Sequence, residues 1–326
     1  MTMLHRVGID VAKASFDVAL ALGGNKYRTR AKIPNTAAGF AQLGAWLSKH
    51  APTAAVGMEA TGTYHEALAE WLVTQGVTVY VINPAQVHAF AQSELARTKT
   101  DRADAKLIAR FLLAQDAKQK PLPAWQPLSP AQKRLRALVR RRDDLKTMQT
   151  METNRLEVAD SAVRESIAQV LTTLQDQIKE TERAITQHID DDPDLRGRRD
   201  LLTSIPGIAE TTSAWLLASL GDLRQYTDVR QIVAHAGLDP AARESGTLKG
   251  VRRISRVGDA TLRAKLYMPA VCAQQHNPVL RAFAERLAER GKPAKVILCA
   301  LMRKLLHLAW GVLRSGKPFD PAFALA

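Results

Sequence analysis

The first ninety or so residues alternate short apolar runs with amphipathic stretches. Residues 6–12, 16–22 and 26–33 read as three consecutive strands, separated by polar turns at 13–15 and 23–25. Asn35 and Thr36 then cap a helix that carries Phe40, Leu43, Trp46 and Leu47 on one face. Residues 54–60 form a small-residue buried strand, a helix through Leu68, Trp71 and Leu72 follows, and residues 77–82 are the strongest β run in the chain. A short helix over 85–93 precedes a longer one, for which Thr100 is the N-cap and Leu107, Ile108, Phe111 and Leu112 the apolar stripe. The order β-β-β-α-β-α-β-α predicts a mixed sheet with helices on its faces, the strand order of the ribonuclease H fold.

Pro121, Pro123, Pro127 and Pro130 mark a boundary, and no Gly or Pro follows until Pro193. Between them Leu135, Leu138, Leu145, Met148, Leu156, Ile167, Leu171, Leu174, Ile178 and Ile185 recur at steps near three and four. This predicts two long helices, an antiparallel pair or coiled coil, broken between Asp160 and Arg164 and joining subunits along its seam. The first of them carries Arg134, Arg136, Arg140, Arg141 and Arg142, either a basic rail for nucleic acid or a solvated face. Residues 201–208 and 211–217 resemble a helix-hairpin-helix, whose Pro-Gly turn aims backbone N–H groups at a phosphate; a plain helical hairpin gives a similar pattern. Three regions result: 1–120, 121–195 and 196–326, the last mostly helical.

Charge narrows the partners. The chain has 326 residues, 46 Lys and Arg against 32 Asp and Glu, and a formal net charge of +14, so a polyanion is expected to bind. The most apolar stretch, 296–313, is interrupted by Arg303, Lys304 and His307, which argues against a membrane span, and the N-terminus enters a strand without a signal-peptide pattern. Cys272 and Cys299 make neither a disulfide framework nor a zinc spacing and read, with His307, as packing residues. A reducing cytoplasm, with no membrane partner and association with the nucleoid, is the expected setting.

Four acids carry the candidate chemistry. Asp10 lies inside an apolar strand and Glu59 at the end of another, where a carboxylate costs several kcal/mol unless it is paired or binds metal. Asp101 and Asp104, three residues apart, share one face of the first turn of their helix. Singly, each reads equally as a strand-end acid reaching solvent or a solvated helix start. Together they form a hard-oxygen set suited to Mg²⁺ or Mn²⁺, able to clamp the attacking and leaving oxygens of phosphoryl transfer. Lys13 and Lys99 read as phosphate contacts or solvated lysines, and Tyr64 follows Glu59 closely enough to lie near the site. Further on, a polar Gly- and Arg-rich loop over 241–259 holds Ser245, Thr247 and Ser255 among Arg252, Arg253 and Arg256. A hydroxyl there attacks a phosphodiester, or serves only a phosphate-binding turn.

The set Gly8-Ile-Asp10, Glu59-Ala-Thr-Gly-Thr-Tyr64, Val81-Ile-Asn-Pro84, Lys99-Thr-Asp-Arg-Ala-Asp-Ala105, Ile205-Pro-Gly-Ile208 and Glu244-Ser-Gly246 resembles the IS110 family of insertion-sequence transposases and its DNA-invertase relatives, over nearly the whole chain. The resemblance implies a RuvC-like, ribonuclease-H-type domain with an Asp-Glu-Asp-Asp set, a coiled coil, and a C-terminal transposase domain with a serine nucleophile. It implies that Asp10, Glu59, Asp101 and Asp104 are the catalytic, metal-binding acids and that Ser245 is the nucleophile, with Thr247 its rival. It further implies target and donor double-stranded DNA, a structured noncoding bridge RNA as guide, and a homodimer or dimer of dimers. Two competing readings remain: a junction-resolving nuclease that uses the same acids with water, and a non-catalytic nucleic-acid-binding architectural protein.

Overall fold

The computed structural model describes residues 5–60, 62–94, 101–118, 122–221, 226–241, 244–245, 248–249, 253–255 and 257–324. It forms two compact units, Met1–Pro127 and Leu128–Ala326. The first holds β1 (His5–Val11), β2 (Ser15–Gly23), β3 (Lys26–Pro34), α1 (Ala37–His50), β4 (Ala54–Glu59), α2 (Glu66–Thr74), β5 (Thr78–Ile82), α3 (Pro84–Ser93) and α4 (Asp101–Ala117). Its five strands lie in the order β3-β2-β1-β4-β5. The hairpin strands β1, β2 and β3 pair antiparallel, while β4 pairs parallel with both β1 and β5.

Both faces of the central strands are covered, so they read as near-continuous apolar runs. Val7, Ile9 and Val11 of β1 pack with Phe40, Leu43 and Trp46 of α1 and Leu68 and Leu72 of α2. Thr36 caps α1 by accepting the Gly39 N–H. The opposite face is covered by α4, whose Ile108, Phe111 and Leu112 pack with Ile82 of β5 and Val87 of α3. Glycine makes that approach possible. A Cβ on Gly8 would lie 2.1 Å from the carbonyl oxygen of Ala105 and 2.5 Å from the nitrogen of Ala109, so strand and helix backbones all but touch.

The second unit opens with a helical hairpin, α5 (Pro130–Val158) and α6 (Ser161–Asp191). Ser129 and Gln132 form a capping box at the start of α5, and Asp160 caps α6. The helices run antiparallel: a ring nitrogen of His188 lies 2.8 Å from the Ala131 carbonyl oxygen, and Lys146 pairs with Glu182 at 2.8 Å. The base of the hairpin, at Leu135, Val139, Ile185 and Ile189, enters the main core. Its distal half leaves Met148, Met151, Val158, Val163 and Val170 exposed.

The rest is α7 (Pro193–Thr203), α8 (Glu210–Leu220), α9 (Val229–His235), the two-residue strands β6 (Pro240–Ala241), β7 (Glu244–Ser245), β8 (Leu248–Lys249) and β9 (Arg253–Ile254), then α10 (Ala260–His276), α11 (Pro278–Glu289), α12 (Ala294–Ser315) and α13 (Pro321–Ala324). By length and composition α12 could cross a membrane, but Ile297, Leu301, Leu305, Leu306 and Ala309 lie in the core of this unit.

Three expectations change. Arg142 is not on an exposed rail: its side chain is 4% exposed and bonds Asp143, which also pairs with Lys265 at 2.8 Å. Cys272 is exposed rather than packed. Asn35 does not cap α1; its role is at the candidate site.

Candidate active site

The acids are positioned by β1, β4 and α4. Paired residues on neighbouring strands point to the same face. Gly8 pairs with Gly57, and Glu59 pairs with Ile82, whose side chain packs with α4, so the even residues of β1 and the odd residues of β4 face this helix. Asp10 and Glu59 therefore project on the α4 side, each one residue past the last β1–β4 pair, Ile9 with Met58. Both are half-buried.

The helix runs antiparallel to β1. Arg6 Nε and Nη2 donate to the two carboxylate oxygens of Asp116 at 2.5 and 2.7 Å, near the end of α4. Two residues further along β1, Gly8 meets Ala105 and Ala109. The next outward position on the strand is Asp10, and the next turn of helix towards its N-terminus carries Asp101 and Asp104. Asp104 is half-buried, whereas of Asp101 only the backbone is described.

Two residues that the sequence did not assign to the site belong here. Asp17 pairs directly across from Asp10 and is 7% exposed. Its Oδ1 accepts the N–H of Lys32 at 2.6 Å, where β3 takes a positive φ of 53°. The clue was the one used for Asp10, an acid within an apolar strand. Asn35 is the other: its Nδ2 donates to the carbonyl oxygens of Ala12 and Tyr64, each at 3.1 Å, so it ties the end of β1 to the loop that follows Glu59. Tyr64 is 44% exposed in that loop.

The donor set is all carboxylate, which suits a hard divalent cation and not zinc. Among the described residues no three His, Cys, Asp or Glu side chains group closely enough to hold a metal ion; the Asp101 side chain lies outside them. Asp10, Glu59 and Asp104 by themselves therefore form no such group.

Ser245 lies in the second unit, on an arm where a polar loop was expected. Pro240 and Ala241 pair with Ile254 and Arg253, and within that ladder Glu244 and Ser245 pair with Lys249 and Leu248. Ser245 thus sits opposite Leu248 in the β7–β8 pair. The stem is held firmly. Asp259 N donates to His235 O and Ser255 N to Asp239 O, both at 2.8 Å, and Arg263 Nη1 donates to Ala236 O at 2.9 Å. Gly258, at φ +151°, lies so close to α9 that a Cβ would sit 2.4 Å from His235 O. Lys99, Thr100, Gly246, Thr247, Arg252 and Arg256 lie outside the described residues, and of Ser245 and Arg253 only the backbone is described.

α7 and α8 do form a helical hairpin around Pro206 and Gly207. A Cβ on Gly207, at φ +107°, would lie 2.5 Å from that of Ala273, and the fully buried Asn277 donates to Pro206 O at 3.3 Å. One side of the turn is therefore packed on α10 rather than open to a phosphate.

The transposase family model DEDD_Tnp_IS110 matches residues 7–159, and that of the transposase family IS116/IS110/IS902 matches residues 199–285. The chain is 35% identical to the pilin gene-inverting protein of Moraxella bovis over 319 residues, 96% of this chain and 97% of that protein. It is 29% identical to the transposase for insertion sequence element IS1328 of Yersinia enterocolitica over 351 residues, 96% of this chain and 98% of the other. These matches and the mixed α/β architecture define a transposase, an enzyme that recombines DNA. The chain belongs to the IS110 family.

Proposed function

We propose that this transposase cuts, exchanges and rejoins DNA through a phosphoserine intermediate, with Ser245 as nucleophile and Asp10, Glu59, Asp101 and Asp104 as ligands for Mg²⁺ or Mn²⁺. In the reaction, Ser245 Oγ bonds to the phosphorus of a DNA diester as the bond to one deoxyribose oxygen breaks. The serine proton ends on that oxygen, leaving a free hydroxyl and a protein-linked strand. Attack by another strand's hydroxyl reverses the step and regenerates the serine, so bond energy is conserved without a nucleotide cofactor. A bound divalent cation supplies charge neutralisation at the scissile phosphate. The four carboxylates hold it, Asn35 braces the loop beyond Glu59, and Asp17 adds negative potential beside Asp10.

The observation that carries the reading is the shared sheet face and shared end of Asp10, Glu59 and the first turn of α4. The name of the Moraxella relative, a pilin gene-inverting protein, supports exchange of strands rather than simple hydrolysis. We assign residues 1–120 to a RuvC-like catalytic domain, 121–195 to a linker and coiled coil, and 196–326 to the transposase domain with the serine. The exposed Met148, Met151, Val158, Val163 and Val170 of the distal hairpin support assembly as a homodimer, or a dimer of dimers, through that coiled coil. A net charge of +14 fits a structured noncoding RNA as guide beside the two DNA duplexes, with base pairing selecting the sites.

The test is covalent trapping. Protein purified with its co-purifying RNA is incubated with donor and target DNA and Mg²⁺, then denatured and resolved by size. Wild type is expected to give a protein–DNA adduct that Ser245→Ala, Asp10→Asn and Glu59→Gln each lose while keeping their melting temperatures. Full cleavage by Ser245→Ala would instead indicate hydrolysis by water, and full activity of Asp10→Asn a structural role for the acids. Sequencing the co-purified RNA tests guidance; absence of any discrete RNA would refute it.

A further inference from the structure

At the opposite end of the strands from Asp10 and Glu59, the β2–β3 turn borders a pocket of about 360 Å³ that the recombination chemistry leaves unused. Its walls include Tyr27, Phe90 and Leu113, with Arg110 and Glu94 side by side and Lys26 at the turn. That volume lies at the small end of the range for ligand sites, about 300–1,000 Å³. Lys106 Nζ sits 5.8 Å from the centre of the Tyr27 ring. Arg110 Nη1 pairs with Glu94 at 3.1 Å, while Arg110 Nε is buried with no hydrogen-bond partner among the described residues. The turn itself is open: a Cβ at Gly23 or Gly24 would meet nothing within 4 Å.

The same edge strand carries cations on its other face. Thr29 pairs with Ala19, which pairs with Gly8, so Tyr27 and Thr29 face α4 while Arg28 and Arg30 face away from it; Lys26 lies beyond a register shift at the turn, against the pocket. All three cations are exposed. Arg28 touches His50 and Arg30 touches Gln42, neither of them a carboxylate. Their spacing, two residues of strand, is about 6.7 Å, close to the step between phosphates along an extended nucleic-acid strand.

We propose that the β3 edge binds an unpaired stretch of nucleic acid, its phosphates along Lys26, Arg28 and Arg30 and one base in the pocket against Tyr27. Aromatic and aliphatic walls accept a base face, and Arg110 and Glu94 offer a donor and an acceptor to its edge. A duplex keeps its bases stacked and cannot fill the pocket. Two sources share this chemistry, a loop of an RNA and a displaced DNA strand. The assignment is independent of the roles given to Ser245 and the four acids.

The experiment uses full-length protein with short single strands of RNA or DNA, each bearing one photoreactive 4-thiouridine or 4-thiothymidine, and a duplex of the same sequence. Adducts are mapped by mass spectrometry. Single strands are expected to crosslink to peptides containing Tyr27 or Phe90, with the yield at subsaturating protein lowered roughly 5- to 100-fold by Tyr27→Ala and restored by Tyr27→Phe. The double variant Arg28→Gln/Arg30→Gln is expected to weaken binding and to lower the slope of log affinity against log salt by about 1.4. A crosslink with RNA only identifies the source as RNA, and one with DNA only as a displaced strand. Crosslinks confined to other peptides, equal yields from the duplex, or a Tyr27→Ala protein that melts and crosslinks like wild type would each overturn the proposal.

Discussion

Gly8→Ala tests whether the closeness of α4 to β1 is what makes the acids effective. The added methyl would lie 2.1 Å from Ala105 O and 2.5 Å from Ala109 N. Both are backbone atoms, so no side-chain rotation relieves the clash, and α4 must withdraw by about 1 Å to restore ordinary contact. Overpacking of this kind costs about 1–3 kcal/mol, which corresponds to a fall of several degrees in the melting temperature of the first unit. Because Asp104 immediately precedes Ala105, the same withdrawal moves it from Asp10, and a misplacement of about 1 Å at a reacting centre costs on the order of a hundredfold in rate. Gly57→Ala is the control: its methyl would meet Leu112 Cδ1 at 2.9 Å and Ile108 Cγ2 at 3.1 Å, side-chain ends that can yield. Both variants are to be melted by circular dichroism and assayed for recombination of an element on a reporter plasmid. Gly8→Ala should lose far more activity than Gly57→Ala at comparable residual structure. Wild-type recombination by Gly8→Ala would refute the claim that this contact sets the acids' geometry.

Other substitutions probe the supports. Asp17→Ala leaves the Lys32 N–H without the acceptor now 2.6 Å away and should cost about 1–3 kcal/mol in denaturant titration; Asp17→Asn keeps an acceptor and should cost less, and equal losses would show that this bond is not what matters. Asn277→Ala removes both the cap on Val279 and Leu280 and the bond to Pro206 O, so the second unit should lose about 1–3 kcal/mol; an unchanged midpoint would argue against the brace. Burial pushes the Asp143 carboxyl up, but its bonds to Lys265 and Arg142 outweigh this and leave it below the ordinary value of 3.8. The folded state then holds this proton more weakly than the unfolded chain, so Asp143 stabilises above that value and the benefit disappears as pH falls through the lowered one. The melting difference between wild type and Asp143→Asn should accordingly be constant near neutrality and shrink below about pH 4; a difference that grows on acidification would reverse the sign.

Strand order and helix caps were legible because local chemistry and burial agree there. The apolar runs of β1, β4 and β5 mark strands covered on both faces, and Thr36 caps the helix that follows it. Other features depend on partners distant in sequence. Arg142 looks like one more cation in an arginine-rich helix until α10 brings Lys265 to Asp143. The residues around Ser245 read as loop because two-residue strands have no period to detect, and their pairing rests on a stem held by α9 and α10. Asp17 shows a different failure: its signal equalled that of Asp10, but its cross-strand position emerges only from the hairpin register.

The geometry of α4 also explains why the acid pattern takes the form it does. Two residues of strand advance about 6.7 Å and a helical turn about 5.4 Å, and positions taken in order along one face of β1 meet positions taken in reverse order along a helix running the other way. Arg6 meets Asp116 and Gly8 meets Ala105 and Ala109. The next strand position is Asp10, and the next turn holds Asp101 and Asp104; the Asp104 side chain leans towards the helix N-terminus and hence outward past the strand end. Small residues in the middle bring the elements together, and in the proposed mechanism the carboxylates at the end use the proximity. A residue larger than glycine at position 8 would widen the whole run, whereas a changed acid would alter only its chemistry. That separation between the contact that sets distance and the groups that use it is why the Gly8 and Asp10 variants should fail differently: the first in stability and activity together, the second in activity alone.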